Sequence, residues 1–262
     1  MKSLGLINAT LDECNVLITG GGTGIGYATA LLFLKMGASV SINFLPNDCK
    51  SETSIRLLKE KYKKVFLSPG DVSIEEEAIN VVNKSKHTMG EINYLINNVG
   101  ISLTDEPIPF ERLDLINSEF WEKMISVNLM SAFFCSKASE DFLKEKGGAI
   151  VNVSSITSNG KRGTSIPYSA SKAALESLTI SLAKSFAPKV RVNAISPGFT
   201  RTEMTENRSN EHKERMAKQT LLNRIAQPEE MAEVIFFLCV SGSYITGEII
   251  SVNGGNGYNY NT

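Results

Sequence analysis

The stretch "CNVLITGGGTGIGYATALLF", residues 14–33, places an apolar run, a glycine-rich turn and a second apolar run in direct succession. The first run predicts a buried strand and the second a helix. Glycines let backbone N–H groups approach an anion closely, and the helix directs its positive end at the same place. The spacing of Gly20, Gly24 and Gly26 differs from the general GxGxxG pattern. Because the turn follows the first strand, we interpret it as a dinucleotide site and not merely as a tight corner.

The same alternation of short apolar runs and longer helical patterns continues along the chain. Strands are predicted at 14–19, 38–44, 64–69, 92–97, 149–154, 190–196 and 247–252. Helices are predicted at 25–36, 51–62, 74–87, 118–144, 168–187 and 228–240. Apolar strands separated by helices indicate a parallel sheet covered on both faces. We therefore predict an α/β fold: one doubly wound, Rossmann-type domain over residues 1–262, with about seven strands.

Two segments interrupt this alternation. The first, 102–120, carries prolines and mixed charge, and we leave open whether it shapes a pocket or lies on the surface. The second, about 200–227, is polar and directly follows a predicted strand end. Ligands bind at the carboxyl ends of parallel strands, so the second segment is predicted to form part of a substrate pocket.

Composition excludes several classes of function. The net charge of −1 over 262 residues argues against nucleic acid or an anionic membrane as a partner. The four cysteines show no CxxC spacing and the two histidines no ligand cluster, so no metal site is expected. The first residues lack the apolar core of a signal peptide, and the run "VIFFLCV" is far too short to span a bilayer. We predict a cytoplasmic protein.

The sequence "YSASK" places Tyr168 and Lys172 four residues apart in a predicted helix, and therefore on one face. An ammonium beside a phenol is expected to lower the phenol pKa toward neutrality, which suits proton exchange with a carbonyl or an alcohol. By itself the pair would be better explained as an exposed pair on a helix surface. However, the strand "AIVNVSS" ends at Ser155, whose hydroxyl could stabilise charge on a substrate oxygen. Asn128 lies in an apolar helix and is either a satisfied structural amide or part of a polar relay.

Taken in order, these motifs resemble the short-chain dehydrogenase/reductase family over nearly the whole chain. "TGGGTGIG" (19–26), "GDV" (70–72), "NNVG" (97–100), "VNL" (127–129), "YSASK" (168–172), "SPGFTRT" (196–202) and "ITGEIISVNGG" (245–255) resemble its motifs. Val99 replaces the usual alanine, and Asn253 stands where aspartate is common.

The resemblance implies a role for each matching residue. Tyr168 would be the acid/base, Lys172 would hold the nicotinamide ribose, Ser155 would polarise the carbonyl and Asn128 would support a proton path. The implied cofactor contacts are Gly20, Gly22, Thr23, Gly24, Ile25, Gly26, Phe44, Asp71, Val72, Asn98, Gly100, Tyr168, Lys172, Pro197, Gly198, Thr200 and Thr202. The implied reaction is hydride transfer between nicotinamide and a ketone or secondary alcohol.

The second predicted strand decides between the two nicotinamide cofactors. A carboxylate at its end would hold the ribose hydroxyls of NAD and repel the 2′-phosphate of NADP. Phe44 stands at that place, which favours NADP(H), although NAD(H) stays possible because no adjacent residue is basic. Asn43, Asn47 and Lys50 could supply donors.

The substrate is not specified by these motifs. Among family members of this size, the sequence most resembles the 3-oxoacyl-(acyl-carrier-protein) reductases. Four basic residues could bind an acidic carrier: Lys144, Lys146, Arg201 and Arg208. The acidic 102–120 segment disfavours that partner, so a sugar, a polyol or a secondary-metabolite ketone is an alternative. The four-residue interval between Tyr168 and Lys172 disfavours an enoyl reductase. A non-catalytic NADP-sensing regulator is disfavoured because Asn128, Ser155, Tyr168 and Lys172 are all present. A serine hydrolase is disfavoured because the sequence has no GxSxG elbow. Apolar helix faces suggest a homodimer or homotetramer.

Overall fold

A computed structural model describes residues 11–160 and 163–257 of the chain, and in this part seven parallel strands form one sheet. The strands are β1 (Asn15–Thr19), β2 (Ser39–Ile42), β3 (Val65–Leu67), β4 (Tyr94–Asn97), β5 (Ala149–Val153), β6 (Arg191–Pro197) and β7 (Ile249–Val252). Their spatial order is β3-β2-β1-β4-β5-β6-β7. The predicted α/β fold class is therefore confirmed.

Helices cover both faces of this sheet. They are α1 (Gly24–Lys35), α2 (Cys49–Lys61), α3 (Glu75–Met89), α4 (Ser118–Ile125), α5 (Ser131–Lys146), α6 (Ile166–Phe186), α7 (Glu203–Glu206), α8 (Asn210–Lys218) and α9 (Pro228–Val240). Phe33 of α1 and Ile235 of α9 belong to the apolar core on one face. Leu143 of α5 and Phe186 of α6 belong to the core on the other. Strands buried between two such layers explain the continuous apolar runs in the sequence.

The predicted helix 118–144 is not continuous. It consists of α4, a π-helical turn at Ser126–Met130, and α5. A single extra residue in a helical turn leaves no trace in apolar periodicity, which is why the sequence predicted one helix. The predicted domain also includes residues 1–10, 161–162 and 258–262, which lie outside the described residues.

The strand order places the binding edge of the sheet. Successive strands run outward from β1 toward β3 in one direction and from β4 toward β7 in the other. A crevice therefore opens at the carboxyl ends of β1 and β4, where doubly wound sheets bind ligands. Within the described residues, no helix is long and apolar enough to cross a membrane, and no group of three His, Cys, Asp or Glu side chains could hold a metal ion.

Candidate active site

A cavity of ≈ 1210 Å³ occupies this crevice. It exceeds the roughly 300–1,000 Å³ of a pocket for one drug-sized ligand, which leaves room for a dinucleotide and a second molecule. Most of the predicted site residues lie on its wall: Gly20, Thr23, Gly24, Ile25, Phe44, Asp71, Val72, Asn98, Gly100, Ser155, Tyr168, Lys172, Pro197, Gly198, Thr200 and Thr202. Residues spread over 180 positions of sequence thus meet at one edge of the sheet, as parallel strands require.

Three predicted site residues, Gly22, Gly26 and Asn128, are not on this wall. A Cβ on Gly22 would overlap the Ser51 side chain at the start of α2, and one on Gly26 would overlap the Gly20 carbonyl. These two glycines are required because backbone and helix pack against them without space for a side chain. That they also touch the cofactor stays a prediction.

The glycine turn suits an anion. Gly20 and Gly24 have φ values of +60° and +52°, which favour glycine over other residues. Thr23, the residue before α1, makes no side-chain cap hydrogen bond to the helix, although Thr23, Gly24 and Ile25 all line the cavity. The first-turn N–H groups of a helix require partners from outside it, and a phosphate can supply them. The residues present thus fit a dinucleotide pyrophosphate.

The residues that start helix α6 position Tyr168 and Lys172. Ser165 caps α6 by accepting a hydrogen bond from the Tyr168 N–H, and Pro167 lies in the first turn, where its missing donor is not needed. The helix therefore begins just before Tyr168, whose side chain reaches the cavity wall, and Lys172 follows one turn later on the same wall. The Ser155 hydroxyl lies on the same wall, close enough to the Tyr168 phenol to influence the phenol pKa. The three side chains that the sequence selected are brought together.

The direction of the Tyr168 pKa differs from the sequence prediction. Burial raises the pKa of the phenol above its ordinary value, and the nearby Ser155 hydroxyl opposes this only in part. Burial also lowers the pKa of Lys172 to about 8, while its Nζ donates to the Val153 carbonyl at 2.9 Å. Desolvation disfavours the charged form of each group and is the largest cause of both shifts. The prediction that Lys172 lowers the phenol pKa in the protein alone was therefore wrong.

The amide of Asn128 is satisfied by hydrogen bonds within the protein, and its part in a proton path stays a prediction. It is 1% exposed at the centre of the π-helical turn, and its Oδ1 accepts a hydrogen bond from the Ile101 N–H at 2.7 Å. Its Nδ2 donates to the Ile101 carbonyl and to Ser171 Oγ, each at 3.1 Å. A Cβ on Gly100 would lie 3.0 Å from Lys172 Nζ and 3.3 Å from Asn128 Oδ1, so this amide supports the backbone directly beside Lys172.

Sequence reasoning missed Glu176, which lies one further turn along α6 from Lys172. Its Oε1 accepts hydrogen bonds from Ser154 Oγ at 2.9 Å and Ser158 Oγ at 2.6 Å. These two serines flank Ser155 on either side in sequence, so one carboxylate holds the segment that presents the Ser155 hydroxyl. The spacing Tyr168–Lys172–Glu176 on one helix face was the available signal.

At the end of β2, the side chain of Asn43 donates its hydrogen bonds within the protein, although the sequence suggested it as a donor to the cofactor. Asn43 Nδ2 donates to the Ser68 and Gly70 carbonyls, at 3.0 and 2.9 Å, so this amide braces the sheet. Phe44 lies on the cavity wall, as predicted, and Asp48 also lines it. Asp48 caps α2 by accepting from the backbone N–H groups of Lys50 and Ser51.

Both interrupting segments reach the cavity. Glu106 and Pro107 of the 102–120 segment lie on the cavity wall. Of the two possibilities that the sequence left open, a pocket-shaping segment or a surface segment, the structure supports the first. From the 200–227 segment, the wall includes Met204, Arg208, His212, Arg215, Met216 and Gln219.

The basic residues proposed to meet an acidic carrier do not form a free basic surface. Lys144 pairs with Glu140 and Lys146 with Glu91. Arg208 is 5% exposed and therefore cannot lie on an outer docking surface. Arg201 alone of the four is exposed without an ion pair among the described residues. The tertiary structure thus removes most of the electrostatic case for carrier docking at these positions.

Comparison with known proteins gives consistent results. A family model described as enoyl-(acyl carrier protein) reductase matches residues 20–257. The chain is 37% identical over 246 residues to a 3-oxoacyl-(acyl-carrier-protein) reductase of Aquifex aeolicus, covering 91% of this chain and 95% of that protein. A Thermotoga maritima protein with the same description is 36% identical over 245 residues, covering 91% and 96%.

Solved structures agree in fold. A Brucella melitensis short-chain dehydrogenase/reductase, described as a glucose/ribitol dehydrogenase, superposes with a TM-score of 0.85 at 30% identity, covering 94% of this chain and 97% of that one. A short-chain dehydrogenase from Burkholderia cenocepacia, solved in complex with NADP, also gives a TM-score of 0.85, at 24% identity and with 94% and 99% covered. At that identity the second likeness concerns the fold alone.

Proposed function

This chain belongs to the short-chain dehydrogenase/reductase family of oxidoreductases, and from this premise we propose that it is an NADPH-dependent ketoreductase. The observation that carries the proposal is that Ser155, Tyr168 and Lys172 line one cavity together with the glycine turn. The Tyr168 phenol, the Ser155 hydroxyl and the Lys172 ammonium group thus lie in the cavity in which a dinucleotide fits.

When bound, the cofactor supplies a hydride to the carbonyl carbon. In this proposal the Tyr168 hydroxyl donates its proton to the carbonyl oxygen, and the Ser155 hydroxyl donates a hydrogen bond to the same oxygen. With a pKa of about 8, Lys172 is mostly protonated at pH 7 and can stabilise the phenolate that remains. Because the raised phenol pKa keeps Tyr168 protonated at neutral pH, the site is prepared to give a proton, in the direction of carbonyl reduction.

NADP(H) is proposed over NAD(H) because Phe44 stands where a carboxylate would otherwise bind the ribose hydroxyls. Asp48 on the same wall opposes this choice, because a carboxylate repels a 2′-phosphate. Fluorescence titration with NADPH and NADH gives the preference directly, and tighter binding of NADH would overturn it.

For the substrate, a 3-oxoacyl thioester on a carrier is the first candidate, supported by the descriptions of the bacterial relatives. A sugar or polyol is the alternative, supported by the description of the Brucella melitensis structure. The enoyl reductase named by the family model is disfavoured by the four-residue interval between Tyr168 and Lys172. A non-catalytic NADP sensor is disfavoured because Ser155, Tyr168 and Lys172 are all present.

The test follows the absorbance of NADPH and NADH with 3-oxoacyl thioesters, enoyl thioesters, sugars and simple ketones. We expect consumption of NADPH with at least one ketone and none with enoyl thioesters. Tyr168→Phe should lower kcat by about 10²–10⁴-fold while NADPH binding is unchanged. Tyr244→Phe is the matched control, because Tyr244 is fully exposed. Near-normal turnover by Tyr168→Phe would overturn the mechanism.

The proposal also includes the oligomeric state and the cellular location. We propose a homodimer or homotetramer, supported by partly exposed apolar side chains on α4 and α6, Trp121 and Ile180. Sedimentation velocity tests this, and a monomer at micromolar concentration would contradict it.

We propose a cytoplasmic location, supported by four cysteines that form no disulfide. Fractionation of the native host, with the protein detected by antibody, checks the location.

A further inference from the structure

Arg208 is a buried arginine on the cavity wall that has no carboxylate partner. It is 5% exposed, and its Nη2 donates to the Thr104 carbonyl at 3.1 Å. Its Nη1 has no hydrogen-bond partner among residues 11–160 and 163–257, and no ion pair within them includes it. A buried charge without a partner is costly, and proteins normally pair it or bring a ligand to it.

A second arginine reinforces the positive charge. Arg215 also lines the cavity, and its Nη2 lies 3.0 Å from Nδ1 of His212. Burial lowers the pKa of His212, and the charges of Arg215 and Arg208 lower it further. Glu106 acts in the opposite direction, with Oε2 at 3.9 Å from His212 Nδ1. The Glu106 side chain is largely exposed and forms no ion pair with Arg208 or Arg215.

Two buried threonine hydroxyls, one of them on Thr104 beside Arg208, also have no hydrogen-bond partner among the residues that the structure describes. Thr164 lines the cavity, and its Oγ1 is buried without a hydrogen-bond partner in the described part of the chain. The same holds for Oγ1 of Thr104, whose carbonyl receives the Arg208 hydrogen bond. Buried polar atoms are normally satisfied, and exceptions mark places where a ligand or a rearrangement completes the bonding.

We propose that the substrate carries an anionic group, a carboxylate or a phosphate, which binds at Arg208 and Arg215 while its carbonyl faces Tyr168. A guanidinium matches both groups because its N–H donors can form two parallel hydrogen bonds to paired oxygens. Arg208 lies on a buried part of the wall, whereas Arg215 is exposed. The buried Arg208 cation therefore discriminates between substrates inside the cavity instead of attracting a carrier at the surface. This inference rests on the proposed ketoreductase function.

The experiment compares two matched substrate pairs with NADPH: 3-oxobutanoate against 3-oxobutanamide, and dihydroxyacetone phosphate against dihydroxyacetone. The first pair tests a carboxylate and the second a phosphate. We expect kcat/KM to favour the charged member of at least one pair by about a hundredfold, since truncating a buried charge pair has effects of this size. Equal kcat/KM values within both pairs would overturn the inference and leave the ketoreductase function intact. No NADPH consumption with any ketone would instead overturn the function itself.

Variants assign the preference to Arg208. Arg208→Met should raise KM for the charged substrate about a hundredfold with little change for its neutral partner. Arg201→Met is the matched control, because Arg201 is exposed on the same segment and is not on the cavity wall. Arg208→Lys keeps the charge but loses the two-pronged geometry, and should show a smaller loss in a folded protein. Unchanged discrimination in either folded Arg208 variant would contradict the assignment.

Discussion

Lys172→Met is expected to stabilise the free protein at neutral pH. Burial lowers the Lys172 pKa from an ordinary 10.5 to about 8. A lowered lysine pKa means that the unfolded chain binds more protons, so the penalty is complete below pH 8 and disappears as the pH rises toward 10.5. At 1.36 kcal/mol per pKa unit, it is about 3 kcal/mol at pH 7 and about 1 kcal/mol at pH 9.5. Losing the Lys172 hydrogen bond to Val153 offsets about 1 kcal/mol at both values.

Urea unfolding of the cofactor-free protein, wild type and variant, at pH 7 and pH 9.5 measures this difference. We expect Lys172→Met to gain about 2 kcal/mol at pH 7 and nothing at pH 9.5, while losing turnover. Lys184→Met is the control, because Lys184 is exposed on the same helix. A gain of equal size at both pH values, or a less stable variant at pH 7, would refute the reasoning that burial of this ammonium opposes folding.

Two further variants test the remaining parts of the site. Asp48→Asn keeps the oxygen that caps α2 but removes the charge on the cofactor wall, so NADPH should bind about fivefold more tightly in a fluorescence titration and NADH should not. An equal change for both cofactors would show that Asp48 does not face the 2′-phosphate. Glu176→Gln weakens the bonds to Ser154 and Ser158 and should lower kcat about tenfold with unchanged cofactor affinity. A normal kcat, or a loss confined to KM, would contradict this positioning role, and the exposed Glu145→Gln serves as its control.

Much of the fold could be predicted because it depends on short-range patterns. The apolar runs that become β1, β4 and β5 are buried on both faces, so they could be read directly as strands of a parallel sheet. Ser165 and Pro167 mark the start of α6, and through it the positions of Tyr168 and Lys172. The π-helical turn at Ser126–Met130 escaped prediction because one inserted residue hardly changes the apolar pattern.

The order of the elements and the choice of Ser155, Tyr168 and Lys172 as candidate site residues could be predicted from the sequence, because periodicity, caps and glycine turns act over a few residues. Which groups lose their water depends on the folded chain. The tertiary structure buried Arg208 on the cavity wall, directed Glu176 to the serines beside Ser155, and reversed the expected shift of the Tyr168 pKa. Desolvation and charge pairing arise between segments that are distant in the chain, so no local pattern contains them.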